Sequence, residues 1–388
     1  MPEDDGRKVL ILYASYGDGH IQVSRSLAER FRERAGFETT ETDLFAEAYP
    51  RLNELAKLLY IKSYTWFPNL YGFSYYATRN MGHDSLVSRW FQAWGMRKLR
   101  EVLRRERPLA VVNTFPIQAM PELKRRTGEP IPVFNVLTDY ALHRRWVHPY
   151  VDRYYVATED LRDEMVRAGV PPERIEVTGI PLRGGFVRLP RTDALYAKYG
   201  ISPAKRTVLL TAGSYGVLQG LRNLCRSLAA LGNVQLLVVC GRNEKLLASM
   251  RELESPDIRV FGFMNAMHEL MSLADVMITK PGGITLTEAI QCELPLVLLR
   301  PVPGQERDNA LYLASRGAAL VAYDDNEALA AVTALLDPRG GGGRAVRAMA
   351  RLKREYSAER IVRDIAERLG CPPDVRTPAS DVRRMTSE

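Results

Sequence analysis

Short runs of aliphatic and β-branched residues recur along most of the chain, each followed by a stretch with helical spacing, and that alternation admits few folds. It is the pattern of parallel sheets whose faces are covered by helices. The runs fall near residues 8–13, 109–113, 131–137, 153–156 and 175–178, and again near 207–212, 234–240, 258–261, 276–279 and 296–299. A length of 388 residues exceeds one ordinary core, so the two series predict an α/β chain of two Rossmann-like halves. Between them, "TGIPLRGGFVRLP" breaks the pattern with proline and glycine. The expected division is a first unit over residues 1–186, a second over 187–370, and a loose tail over 371–388.

Composition narrows the chemistry. A net charge of +8 favours anionic partners: nucleic acid, phosphates or an anionic lipid surface. No recognised nucleic-acid motif accompanies it, so we expect no nucleic acid. The opening "MPEDDGRK" has no apolar run behind it and no window reaches about 18 apolar residues, which predicts a cytoplasmic protein. Four well-separated cysteines argue against zinc or a disulfide framework. The five histidines form no H-x-x-x-H or H-E-x-x-H, and D-x-D is missing, so the expectation is no metal and no cofactor. Phosphate charge must then meet helix termini and cations such as Arg242 or Lys280.

One insertion, about residues 55–107, departs from the α/β rhythm. Tyr60 to Trp94 holds eleven of the 33 aromatics, Trp66, Phe67, Trp90, Phe91 and Trp94 among them, and Arg97, Lys98, Arg100, Arg104, Arg105 and Arg107 follow. Aromatic rings settle at headgroup depth while Lys and Arg meet anionic lipid, so the segment reads as a membrane or lipid-acceptor surface. The alternative is a helix packed on its own domain.

Two strand-to-helix turns can carry chemistry. "YASYGDGHIQVSRSL" sets Gly17, Gly19 and His20 at the start of a helix whose buried face would use Val23, Leu27 and Phe31. A helix N-terminus attracts anions and disfavours imidazolium, which suits a neutral general base; the alternative is a histidine that only finishes the helix. In "ADVMITKPGGITLTEAI", Gly282 and Gly283 can approach a diphosphate, and Glu288 can accept from a ribose diol. Thr285 to Glu288 also has capping-box spacing, in which the glutamate would only cap. "TAGSYG", with Gly213 and Ser214, is a second phosphate-type loop, and "GRNEKL" a further polar one. "PVPGQERDNALYL" places Gln305, Glu306, Asp308 and Asn309 beyond a strand's carboxyl end, where hydroxyl-rich ligands bind.

As a set, "LILYASYGDGHIQVSRSL", "VFNVLTDYALHRRWVHPYVDRYYVATE", "VTGIPLR", "VFGFMNAMHELMSLADVMITKPGGITLTEAI" and "PVPGQERDNALYL" resemble glycosyltransferase family 28 over about residues 7–365, and within it the diacylglycerol glycosyltransferases. The resemblance implies a GT-B fold, two Rossmann-like domains facing across a cleft. It implies inverting, metal-independent transfer of glucose or galactose from a UDP-hexose to diacylglycerol at the inner face of the cell membrane. Residue by residue it implies His20 at the catalytic centre, with Asp139 in "LTDY" as competing or assisting carboxylate. Phe263 matches the uracil segment, Gly282, Gly283 and Thr285 the diphosphate loop, Glu288 the ribose carboxylate, and Gln305, Glu306 and Asn309 the sugar loop. A peptidoglycan N-acetylglucosaminyltransferase and a nucleotide-sugar 2-epimerase share this architecture and stay open as alternatives.

Overall fold

The computed structural model describes residues 6–15, 17–56, 68–79, 81, 95–214, 216, 220–337 and 339–371. Two six-stranded sheets form the framework. The first contains β1 (Lys8–Tyr13), β2 (Glu38–Asp43), β3 (Ala110–Asn113), β4 (Val133–Val136), β5 (Arg153–Val156) and β6 (Ile175–Val177), in the order β2-β1-β3-β4-β5-β6. The second contains β7 (Arg206–Thr211), β8 (Val234–Val239), β9 (Ile258–Phe261), β10 (Val276–Thr279), β11 (Leu296–Leu299) and β12 (Ala319–Ala322), in the order β12-β11-β10-β7-β8-β9. Every neighbouring pair is parallel. Helices cover both faces of such sheets, which is why Val9, Leu10, Ile11 and Leu12 form an unbroken apolar run and all four are fully buried. The helix Asp18–Ala35 buries Val23, Leu27 and Phe31 as its spacing predicts.

Each sheet has a switch point, between β1 and β3 in the first and between β7 and β10 in the second, where successive crossovers run in opposite directions. Crevices open there at the carboxyl ends of the strands. The segments that follow β1, β3 and β4 contribute to the same cavity as those that follow β7, β8 and β10, so the two carboxyl edges face each other.

The chain passes between the halves twice. In the first crossing, the Leu182 carbonyl accepts from Ser26 Oγ (2.6 Å) in the first half, while Arg183 donates to the Asn265 carbonyl (2.7 Å) in the second. In the second, the helix Ser357–Arg368 returns to the first sheet: Asp364 accepts from Arg153 Nε (2.9 Å) and Tyr155 Oη (2.7 Å), and Arg30 pairs with Glu359 (3.1 Å). This departs from the expectation that residues 187–370 form one unit. The buried stripe Ile361, Val362, Ile365 and Ala366 shows helical periodicity whichever sheet it covers, so the sequence pattern does not choose between them. The crossings touch: a Cβ on Gly179, at φ +86°, would lie 2.6 Å from Ser357 Oγ and 2.7 Å from Arg354 Cβ.

Candidate active site

A cavity of about 930 Å³ lies between the halves. His20, the third residue of its helix, lines it. Its Nδ1 is 2.7 Å from the Thr114 carbonyl oxygen, which only accepts, so Nδ1 carries the proton and the Nε2 lone pair is left for chemistry. Thr138 Oγ1 lies 3.2 Å from the same Nδ1, and Phe115 meets the ring edge-on at 5.0 Å. Burial draws the His20 pKa below 6.5, although the negative charge of Asp139 and the Thr114 carbonyl pull it back upward. The imidazole is therefore neutral at pH 7.

Asp139 connects the halves. Its Oδ1 accepts from Gln305 Nε2 and from Asn309 Nδ2 (3.1 Å) across the cleft. Asn309 also accepts from the Tyr140 N–H (2.9 Å) and donates to the Pro281 carbonyl (3.2 Å). Expected to touch sugar, Asn309 is instead fully buried and outside the cavity wall, its amide fully used between the halves. Arg242 departs in the same way: it is outside the cavity wall, 4.1 Å above the Phe263 ring and 2.5 Å from Asp18 in the first half, so its charge spans the cleft margin.

The remaining expected donor residues Gly213, Ser214, Phe263, Gly282, Gly283, Thr285, Glu288, Gln305 and Glu306 line the second-half wall, and Gly17 and Gly19 the first. The helix Gly283–Gln291 is capped by Gly282, so Thr285 is its third residue and no capping box forms with Glu288. Glu288 faces the cavity from mid-helix, where burial pushes its pKa up to about 8 against the opposing charge of Arg183. Lys280, at the end of β10, is drawn down to about 8 by burial and remains mostly cationic at pH 7. Burial raises Glu306 to about 7, while its Oε2 accepts from the Val302 N–H (3.1 Å). Among the described residues no group of three or more His, Cys, Asp or Glu is arranged to hold a metal ion.

Trp66, Phe67, Trp90, Phe91 and Trp94 lie outside the described residues. The described part of the insertion divides its faces. On the helix Pro68–Arg79, Tyr76 Oη donates to Asp308 (3.0 Å) and accepts from the Gly304 N–H (3.2 Å), and Arg79 pairs with Asp308 (3.2 Å) and Glu164 (3.3 Å). Leu70 and Phe73, 64% and 74% exposed, point outward, and exposed Tyr49 and Leu52 also line the cavity mouth. Arg97, 97% exposed, lies 3.6 Å from Glu101; Lys98 is more enclosed, between Glu47 (3.7 Å) and Glu101 (3.6 Å). Among the described residues no helix is long and apolar enough to cross a membrane. Sequence reasoning missed Thr114, Thr138, His143 and Arg145, all close to or lining the cavity; their signal was the position just beyond β3 and β4, the strands that follow the switch point.

Two facing parallel sheets with ligand-type loops on both carboxyl edges define the GT-B class. Solved structures agree on that fold: MurG of Acinetobacter baumannii superposes with a TM-score of 0.63 at 17% identity over 93% of this chain and 99% of its own. The S. aureus MnaA–UDP co-structure gives 0.63 at 15% identity over 96% and 99%. A monogalactosyldiacylglycerol (MGDG) synthase family model matches residues 20–182, and the glycosyltransferase family 28 C-terminal domain matches residues 207–340. A processive diacylglycerol beta-glucosyltransferase of Bacillus cereus (strain G9842) is 44% identical over 85% of both chains. One of Bacillus thuringiensis (strain Al Hakam) is 41% identical over 96% of this chain and 97% of its own. The chain belongs to the family of the processive diacylglycerol beta-glucosyltransferases.

Proposed function

We propose that this enzyme transfers glucose from UDP-glucose to the hydroxyl of diacylglycerol with inversion and without a metal, making membrane glycolipid. The observation that carries the reading is His20, held as the Nδ1–H tautomer at a cavity shared by both halves. Neutral Nε2 takes the acceptor proton as the hydroxyl oxygen attacks the anomeric carbon and the bond to UDP breaks on the opposite face. Asp139 stabilises the imidazolium that results and keeps Gln305 oriented. Charge developing on UDP is met by Lys280 and by the N–H groups at the start of the helix Gly283–Gln291, preorganised donors that do the work of a cation. The exposed apolar residues at the cavity mouth, with the cationic face of the helix Met96–Glu106, support peripheral contact with an anionic membrane.

A labelled transfer assay tests this: UDP-glucose and UDP-galactose, each offered to diacylglycerol in anionic vesicles with EDTA present. Labelled glucolipid is expected from UDP-glucose. No lipid product from either donor, with UDP binding intact, overturns the acceptor assignment; dependence on added divalent metal overturns the electrostatic one.

Glu288 supplies an independent test of the donor site. Ribose hydroxyls donating to its carboxylate favour the charged form, so UDP binding at pH 7 should release close to one proton, or about 0.9 from a group whose pKa is about 8. Calorimetry in two buffers of different ionisation enthalpy reads that number. Glu288→Gln should abolish the release, and an unchanged release in the variant removes Glu288 from the ribose site.

A further inference from the structure

Gln305 and Glu306 reach the cavity from a turn that the second half does not shape alone. The turn is Pro303–Gly304, just ahead of the helix Gln305–Ser315, and Gly304 has φ +110° and ψ −142°, a conformation that only glycine adopts without strain. The helix Pro68–Arg79 of the first half lies directly on it. A Cβ on Gly72 would run into the Pro303 side chain, and a Cβ on Gly304 would lie 3.1 Å from the Tyr75 ring and 3.2 Å from the Tyr71 ring. Glycine on each side permits that approach.

Hydrogen bonds fix what the packing brings together. The Tyr76 hydroxyl has two partners in the second half: it accepts from the Gly304 N–H (3.2 Å) and donates to Asp308 Oδ1 (3.0 Å), one helical turn on. Those two partners bracket Gln305 and Glu306 in the chain. Arg79 holds the other Asp308 oxygen (3.2 Å) and is anchored in the first half by Glu164 (3.3 Å) and the Leu142 carbonyl (3.3 Å). Gln305 and Glu306 line the cavity, whereas Tyr76 and Arg79 do not, so any effect of the latter pair on a ligand passes through the turn.

We propose that Tyr76 is a positioning residue for the donor hexose, reaching across the cleft to hold the Gly304 turn so that Gln305 and Glu306 face the sugar when the halves are closed. The inference rests on the donor reading above and adds that the first half completes the sugar's subsite. The nucleotide loops Phe263, Gly282, Gly283 and Glu288 come from other segments. UDP therefore needs only the second half, while the hexose is gripped on closure, when the acceptor side is already in place and water is shut out.

The test compares the full chain with Tyr76→Phe, which removes one oxygen from an exposed ring and leaves the helix packing intact. Binding of UDP and of UDP-glucose is measured by calorimetry without acceptor, and transfer to diacylglycerol in vesicles is measured at steady state. The expected result is a Kd for UDP-glucose raised about three- to tenfold, the size of one or two neutral hydrogen bonds, with the Kd for UDP moved by less than about twofold. In transfer, kcat/KM for UDP-glucose falls and KM for diacylglycerol does not change. Equal weakening of UDP and UDP-glucose would make Tyr76 merely structural, and unchanged UDP-glucose affinity would mean that the turn holds without it. Either overturns the proposal and leaves the proposed function standing. Selective loss of UDP-glucose affinity, in a protein whose wild type makes no glucolipid, keeps Tyr76 in this role and rejects the diacylglycerol reading instead. A wild type that binds no UDP-glucose overturns both.

Discussion

Replacing His20 with alanine should lower kcat roughly 10²- to 10⁴-fold, the range a positioned general base contributes, while the Kd for UDP moves by less than about threefold. The difference between the two effects follows from the structure. His20 belongs to the first half and touches Thr114, Thr138 and Phe115, whereas the expected nucleotide loops belong to the second. Stopped-flow or single-turnover transfer gives the first quantity and calorimetry the second; equal losses in both would remove the base assignment. The pH profile adds a separate check. A base must be unprotonated to work, and burial draws His20 below 6.5, so the acid-side fall in kcat/KM should have its midpoint below pH 6.5.

Gly283→Ala should cost about 10²-fold in kcat/KM with far-UV circular dichroism unchanged. Glycine is required here by close approach: a Cβ would run into the Thr138 carbonyl oxygen and come within 3.2 Å of Asp139 Oδ1. Neither obstacle is the far end of a flexible side chain that could swing aside, since one is backbone and the other is tied to Gln305 and Asn309. The halves must therefore part slightly, moving His20 relative to the donor loops, and misplacement on the scale of 1 Å is enough for a loss of that order. Small-angle scattering should show a wider interdomain separation in the variant. Wild-type kcat/KM in Gly283→Ala would mean that the active form does not use this contact.

Much of this arrangement was legible in the sequence because it rests on periodicity and strand-end position. The ten expected runs all appear as strands, and β2 and β12 are additional. Both are edge strands. Glu38–Asp43 reads ETTETD because one side of an edge is open to water, and Ala319–Ala322 lies at the other sheet's edge with Leu320 exposed, so no buried aliphatic run marks it. The glycine turn before His20 and the one before Glu288 were legible because helix starts have their own residue chemistry. Thr285 to Glu288 looked like a cap because spacing alone does not give the first residue of a helix, and Gly282 takes that place. What could not be read were contacts between distant segments. The partner that sets the His20 tautomer is 94 residues away, and Asn309 became an interdomain tie because its neighbours Asp139, Tyr140 and Pro281 come from elsewhere in the chain. Arg242 turned from a phosphate cation into a bridge to Asp18 for the same reason.

The adjacency of Gly179 with Arg354 and Ser357 has a mechanical meaning. Two covalent connections placed side by side act as a door with a single hinge line: sliding and twisting of one half against the other are resisted, and swinging is left. The ties that cross the cleft, Asp18–Arg242, Tyr76–Asp308 and Asp139 with Gln305 and Asn309, then loosen together as the halves swing. Opening then becomes one coordinate, along which substrate admission and the meeting of His20 with the donor loops are successive positions of the same movement.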